Sequence, residues 1–349
     1  MKVTKGDLVV SFIAYFVSFM LAIGLGAVLI YFILHVNPFY ALSIIVTSAL
    51  FMSVGQRTTF YILVELTLIS LGLALSYRAR FWNIGADGQY IFGAILGMQT
   101  VFALEHIHVH SPFLAVPAIL LMGLLGGMLY GLIPALLKVV LNVNEVLSSL
   151  MLNFIAIYFM TWLVDVTGPW KDPYAAELES YPIPYSYYLE NPFVLIAIMA
   201  AAIIIIYLLA GKTSFGFKIK IMGSSLNAAE YAGVRKATVY VYLGIISGGL
   251  SGIAGAIDLL AVSHILSSTF DSLYMGYLSI FTTWLASLNP LFVVLSSLLM
   301  STLVSGGYFM EALSGVSMLF VYYFEGIVFI SIIIFETMKG RLKRMMGLE

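Results

Sequence analysis

Between two long apolar runs the chain reads RFWNIGADGQYIFGA over residues 80–94, which gathers Asn83, Asp87 and Gln89 beside Gly85, Gly88 and Gly93. Two carboxamides and a carboxylate so close together offer donors and acceptors enough to bind a polar solute, to cap a helix, or to pair with Arg80. An unsatisfied backbone group in hydrocarbon costs several kcal/mol, so a glycine-rich break survives there only where protein or water supplies partners. The segment therefore reads as the broken start of a membrane helix. The glycines relieve the backbone and the polar side chains supply hydrogen bonds. Half-helix ends beside a pathway are how many transporters build polar sites. Two readings stay open from residue types alone: a solute pathway through Asp87, or Asp87 as a helix cap or Arg80 partner at the cytoplasmic boundary.

Glu65, Glu145, Asp258 and Glu325 also lie in or near apolar runs, where ionisable groups are functional candidates by default. Glu145, in NVNEV, suits the start of a helix, where a carboxylate faces the positive dipole end. Glu65 and Glu325 could carry protons, which is the basis of an alternative reading as a proton- or sodium-coupled secondary transporter. EHIHVHSP spaces His106, His108 and His110 so that an extended backbone would aim all three the same way, either as a Zn or Cu site or as a solvated loop; no metal is assigned. GKTS at 211–214 resembles the end of a phosphate-binding loop, but its upstream glycine would fall at Ile206 and no strand precedes it. No H-E-x-x-H motif and no Ser, His and Asp set at a common depth supports a hydrolase, and no cofactor is expected.

The elements that must position these residues are membrane helices. A chain of 349 residues that is 62% hydrophobic and 9% charged, with mean hydropathy +1.04, matches a polytopic helical membrane protein and excludes disorder. It has no Cys, hence no disulfide and no thiolate metal site, and nothing points to nucleic acid. The first apolar run begins near Val9, is about 25 residues long and lacks a small-residue cleavage pattern, so it reads as a retained span.

About eleven apolar runs occur, and with Lys2 and Lys5 inside, crossing by all of them would place Arg78, Arg80 and the cluster Lys212, Lys218, Lys220, Arg235 and Lys236 outside. Treating residues 39–55 as a re-entrant or interfacial segment leaves about ten spans with both termini cytoplasmic, and only Arg57 and Lys171 of the 16 basic residues outside. The expected fold is thus an all-α polytopic membrane protein, one transmembrane domain over 1–349, with an external loop at 167–192 and a cytoplasmic loop at 213–236. The runs at 273–287 and 290–305 are short for a ~30 Å core and are expected as a hairpin inside the bundle. Gly123, Gly127 and Gly131, and separately Gly244, Gly248, Gly252 and Ala256, recur every fourth residue. Such stripes let backbones approach closely, as static packing or as a sliding face.

NIGADGQYIFGA resembles the NIGAEGQ signature of permease subunits of simple-sugar and nucleoside ABC importers, a group that includes branched-chain amino acid permeases. Three further stretches agree in order and spacing: LIPALLKVVLNVNEVLSSLMLNFIA at 132–156, TSFGFKIKIMGSSLNAAEYAGV at 213–234 and SGGLSGIAGAID at 247–258. The likeness runs from about residue 37 to 307. Departures are Asp87 in place of the signature glutamate, Ser225 where an asparagine is usual, and the bulky FDSLYMGYLSIFTTWLASLNPL in place of a glycine-rich run.

The resemblance implies a permease for a small polar solute, nucleoside or simple sugar, that is not itself an enzyme. Implied partners are ATP-binding cassette subunits, a second permease copy or paralogue, and an external substrate-binding lipoprotein, all at the cell membrane. It assigns the substrate pathway to Asn83, Asp87, Gln89 and Asn153. It also makes the 213–236 loop resemble a coupling helix to the ATPase, carried by Gly223, Ser225, Asn227, Ala228, Ala229, Glu230 and Gly233. There Ser224 or Ser225 can cap a short helix that Gly233 ends, with Ala228, Ala229 and Ala232 as a slim face beside Glu230 and Tyr231.

Overall fold

The computed structural model describes residues 37–270 and 274–314, with isolated positions at 24, 28, 31, 32, 323, 326, 327 and 330. Most of the first and last apolar runs, with Lys2, Lys5 and Glu325, lie outside the described residues. The described chain is helical apart from turns and two isolated β-bridges. It divides into two compact units, one holding the described residues up to Phe60 and from Leu298, the other Tyr61–Ser297.

In the first unit, α1 (Pro38–Phe51) is capped by Asn37, whose side chain accepts the Phe39 amide at 3.0 Å. Its 14 residues span roughly 21 Å, short of a ~30 Å hydrocarbon core. The chain reverses at Met52 into α2 (Ser53–Arg78). The two helices touch so closely that a Cβ at Gly55 would stand 1.9 Å from the Ser48 carbonyl oxygen, and the Thr59 hydroxyl donates to Ala49 O at 3.1 Å.

The second unit contains the rest of α2, then α3 (Ala86–His106), α4 (Pro112–Leu141), α5 (Glu145–Val164), α6 (Pro192–Lys212), the short α7 (Ser214–Ser224) and α8 (Leu226–Tyr231), and α9 (Lys236–Asp258). A π-helical turn, Leu259–Ser263, extends α9, and α10 (Met275–Leu285) and the start of α11 (Pro290–Ser314) follow. Six helices among the described residues are long and apolar enough to cross a membrane. The run at 290–305 is not the short arm of a hairpin expected from the sequence, because its helix continues to Ser314 over 25 residues. Ser301, Ser305, Gly306 and Gly307 dilute the apolar signal without breaking the helix. By contrast α10, with 11 residues, covers only roughly 16 Å.

The glycine stripes account for the centre of this unit. A Cβ at Gly127 would lie 2.0 Å from Gly248 O, and one at Gly93 would lie 2.1 Å from Gly252 O, so α3, α4 and α9 meet backbone to backbone. One end of α9 adjoins α8. Its other end is tied to the 167–192 loop, where Ser180 N donates to Leu266 O (2.8 Å), Ile183 N to His264 O (2.9 Å) and Leu189 N to Leu260 O (2.9 Å). The two functional loops expected from sequence therefore sit at opposite ends of α9.

Candidate functional site: a broken helix at membrane depth

After α2 the chain turns sharply, with Arg80 in the left-handed region at φ 59°. Phe81 N returns to Ser76 O at 3.0 Å, and the Tyr77 hydroxyl donates to Asn83 O at 3.0 Å. Residues 81–85 then run without helical structure until α3 begins at Ala86. The Asn83 amide donates to Ser247 Oγ at 2.9 Å. Ser247 lies eleven residues along α9 from Lys236, roughly 16 Å by helical rise. The start of α3 is thus well inside the bundle, where the amides of a first helical turn need partners that water does not supply.

Neighbouring side chains supply them. Asn153, on α5, accepts from Gly88 N at 2.9 Å and donates to Ile84 O at 2.9 Å, while Ser149 Oγ accepts from Ile84 N at 3.0 Å. Asn83 Oδ1 accepts from Gly85 N at 3.0 Å. Asn83 and Gln89 also pair amide to amide, both bonds at 3.0 Å. All four sequence-predicted pathway residues are buried, at 1% exposure or less, and they converge on this break. Their tasks differ. Asn83 and Gln89 lock each other, Asn153 acts as a cap supplied by a neighbouring helix, and Asp87 reaches outward.

Asp87 Oδ1 accepts the Gly276 amide in the first turn of α10. It therefore caps a different helix, not its own, and the Arg80 guanidinium is engaged elsewhere. An anion at a helix N-terminus meets orphan N–H groups and the positive dipole end. The contact leaves no room for a side chain at Gly276, where a Cβ would fall 2.2 Å from Asp87 N. Tyr277, one residue on, accepts through its hydroxyl oxygen from Asn153 Nδ2 at 3.2 Å. Asp87, Asn153 and the N-terminus of α10 form a polar junction of three helices. Two turns further along α10, Trp284 stacks on Trp82 with centroids 5.8 Å apart and planes 5° from parallel, and Tyr77 lies 5.2 Å from the Trp82 ring.

Arg80 makes the connection that sequence reasoning did not find. Its Nε donates to Gly223 O at 3.0 Å and its Nη2 to Ser224 O at 3.3 Å, joining the broken segment to the 213–236 loop. The close approach is also why residue 223 is glycine: a Cβ there would stand 2.1 Å from Arg78 O. Thr213 caps α7 by accepting Gly216 N at 3.1 Å, and Ser225 caps α8 by accepting Ala228 N at 3.2 Å. Gly233, at φ 72°, ends α8: Val234 N bonds to Ala229 O and Gly233 N to Glu230 O, both at 2.9 Å, the Schellman pattern. Asn227, Ala228, Glu230 and Ala232 are exposed, and Tyr231 is 94% exposed. Ala229 is fully buried and packs inward, so it lies off the slim face expected for it. Lys236 hydrogen-bonds Glu230 at 2.8 Å and holds its carboxyl below the usual range.

Other sequence candidates fall into place. Glu145 opens α5 and pairs with Lys138 at 2.5 Å, beside the Asn144 cap. The three histidines are not on an extended strand: His106 ends α3, and His108, at φ 55°, terminates it with Val109 N bonded to Leu104 O and His108 N to Glu105 O. Among the described residues no group of three His, Cys, Asp or Glu side chains is placed to hold a metal ion.

The family model described as branched-chain amino acid transport system / permease component matches residues 58–335. The nucleoside ABC transporter permease protein NupB of Lactococcus lactis is 26% identical over 77% of this chain and 77% of its own length. The glucose ABC transporter permease protein of Haloferax volcanii is 26% identical over 88% of this chain and 83% of its own length. The guanosine ABC transporter permease protein NupP of Bacillus subtilis is 26% identical over 71% and 72%. No solved structure matches the chain significantly. With its membrane-length helices and a match across most of its length, the chain belongs to the permease-component family of branched-chain amino acid transport systems, as a non-catalytic, multi-pass subunit of an ABC importer in the cell membrane.

Proposed function

We propose that the chain is the solute-translocating subunit of an importer for nucleosides or simple sugars. The names of its relatives favour these solutes over amino acids. In this reading the whole of 1–349 is one permease domain of about ten spans with both termini cytoplasmic, because that topology alone keeps the basic loops inside. The short α1 serves as the re-entrant segment. Its partners are ATP-binding cassettes, a second permease copy or paralogue, and an external substrate-binding lipoprotein that docks near 167–192.

One observation carries the mechanism: Arg80 links the 223–224 backbone directly to the segment 81–85 that leads into Asp87. A cassette that grips α8 through Asn227, Ala228, Glu230 and Tyr231 pulls on Gly223 and Ser224, and through Arg80 on residues 81–85. That segment contains Asn83, which pairs with Gln89, and leads into the first turn of α3 with Asp87, so its displacement shifts the junction with Asn153 and α10 and alternates access to the pathway. Gly233 and Ser225 keep α8 a rigid handle, and Ala229 seats it.

The test is energisation. In proteoliposomes containing all subunits, uptake of a labelled nucleoside or hexose is expected to require ATP and the binding protein and to ignore proton and sodium gradients. Gradient-driven uptake by this chain alone would overturn the reading in favour of a secondary carrier.

A further inference from the structure

The short helix α7, between the membrane-length α6 and the α8 handle, has two apolar faces where a solvated loop helix needs one. Gly216, Ile219 and Met222, three residues apart, are buried and form its inner face. Phe217 and Ile221, four residues apart, form a stripe on the opposite side, Phe217 64% exposed and Ile221 half-buried. Around the helix axis Lys218 and Lys220 flank that stripe, each roughly 80° from its centre. Both lysines are exposed, as is Lys212 at the end of α6.

The depth of the stripe follows from how α7 packs. A Cβ at Gly216 would stand 2.4 Å from the carbonyl oxygens of Leu209 and Ala210, so the first turn of α7 lies against the last turn of α6. Phe217 is therefore near the level at which α6 leaves the hydrocarbon. An aromatic ring there is favourably placed at the headgroup and acyl boundary, while lysine stems lie along apolar surface and carry their ammonium groups to the phosphates. Charge agrees with this. No acidic residue occurs between Glu190 and Glu230, and Lys212, Lys218 and Lys220 have no ion-pair partner among the described residues. A soluble partner would have to enter the headgroup layer to cover the stripe, whereas a phospholipid is already there.

We propose that α7 is an interfacial helix that binds anionic phospholipid of the cytoplasmic leaflet, with Phe217 at the acyl boundary and Lys212, Lys218 and Lys220 on the headgroup phosphates. It rests on the importer reading only for the side of the membrane. The consequence reaches the coupling route, because α7 ends in Gly223 and Ser224, whose carbonyls accept from Arg80. A lipid that fixes α7 gives the Arg80 link a steady base.

The test purifies the full chain in mixed micelles of phosphatidylcholine and phosphatidylglycerol and identifies the retained lipid by native mass spectrometry. Phosphatidylglycerol is expected to be retained over phosphatidylcholine. Lys218→Gln and Lys220→Gln are each expected to lower that preference about fivefold, the worth of one basic side chain at an anionic surface. Lys218→Arg and Lys220→Arg keep the charge and are expected to keep the preference. No preference in the unaltered chain, or one untouched when Lys212→Gln, Lys218→Gln and Lys220→Gln are combined, would overturn the proposal. So would a combined variant that keeps its phosphatidylglycerol but no longer co-purifies with an ATP-binding subunit, which would give the patch to that partner. Lipid retention needs no transport, so its failure leaves the importer reading standing; gradient-driven uptake would defeat that reading without touching the lipid site.

Discussion

At the residue scale, function depends on which polar groups are engaged with each other and which can respond to a solute. Asp87 holds the first turn of α10 by a charge-assisted bond to Gly276 N. Asp87→Asn keeps the shape and an accepting oxygen but removes the charge, weakening the contact by about 1–2 kcal/mol. Uptake is expected to fall while the subunits still co-purify, and unimpaired uptake would show that the charge is dispensable. His108 gives an independent check on the local structure. It occupies a helix-terminating position at φ 55° that glycine adopts without steric cost, so His108→Gly is expected to stabilise the protein by about 1 kcal/mol, read as a higher thermal midpoint. A lower midpoint would mean that the imidazole itself is needed.

At the element scale, the packing of α3, α4 and α9 depends on absent side chains. Gly127→Val places atoms where Gly248 O already stands 2.0 Å from an added Cβ, and backbone cannot yield as a flexible side chain can. The variant is expected to lose assembly and heat resistance, measurable as loss of the monodisperse complex in detergent; a stable complex would contradict the close approach. These stripes were legible in sequence because a four-residue repeat projects to one helix face whatever the neighbours are. The caps of α8 were legible for the same local reason, Ser225 and Gly233 acting within their own turn. Arg80 was not legible: its value comes from two carbonyls 143 and 144 residues away. The hydrogen bond from the Tyr90 hydroxyl on α3 to Asp258 at the end of α9 was likewise hidden, since it joins two helices and only the acid stood out. Ala229 was misplaced because composition does not fix which side of a six-residue helix faces the protein.

At the scale of the whole molecule, force has to travel from an exposed handle to a buried break. The handle is α8, the break is residues 81–85, and Arg80 is the covalently short, doubly hydrogen-bonded link between them. Arg80→Ala tests that claim most directly, with transported solute and hydrolysed ATP measured together in proteoliposomes of the complete importer. Hydrolysis is expected to continue while solute moved per ATP falls about tenfold, the loss of charge-assisted bonds to two carbonyls. An unchanged ratio of solute to ATP would contradict it.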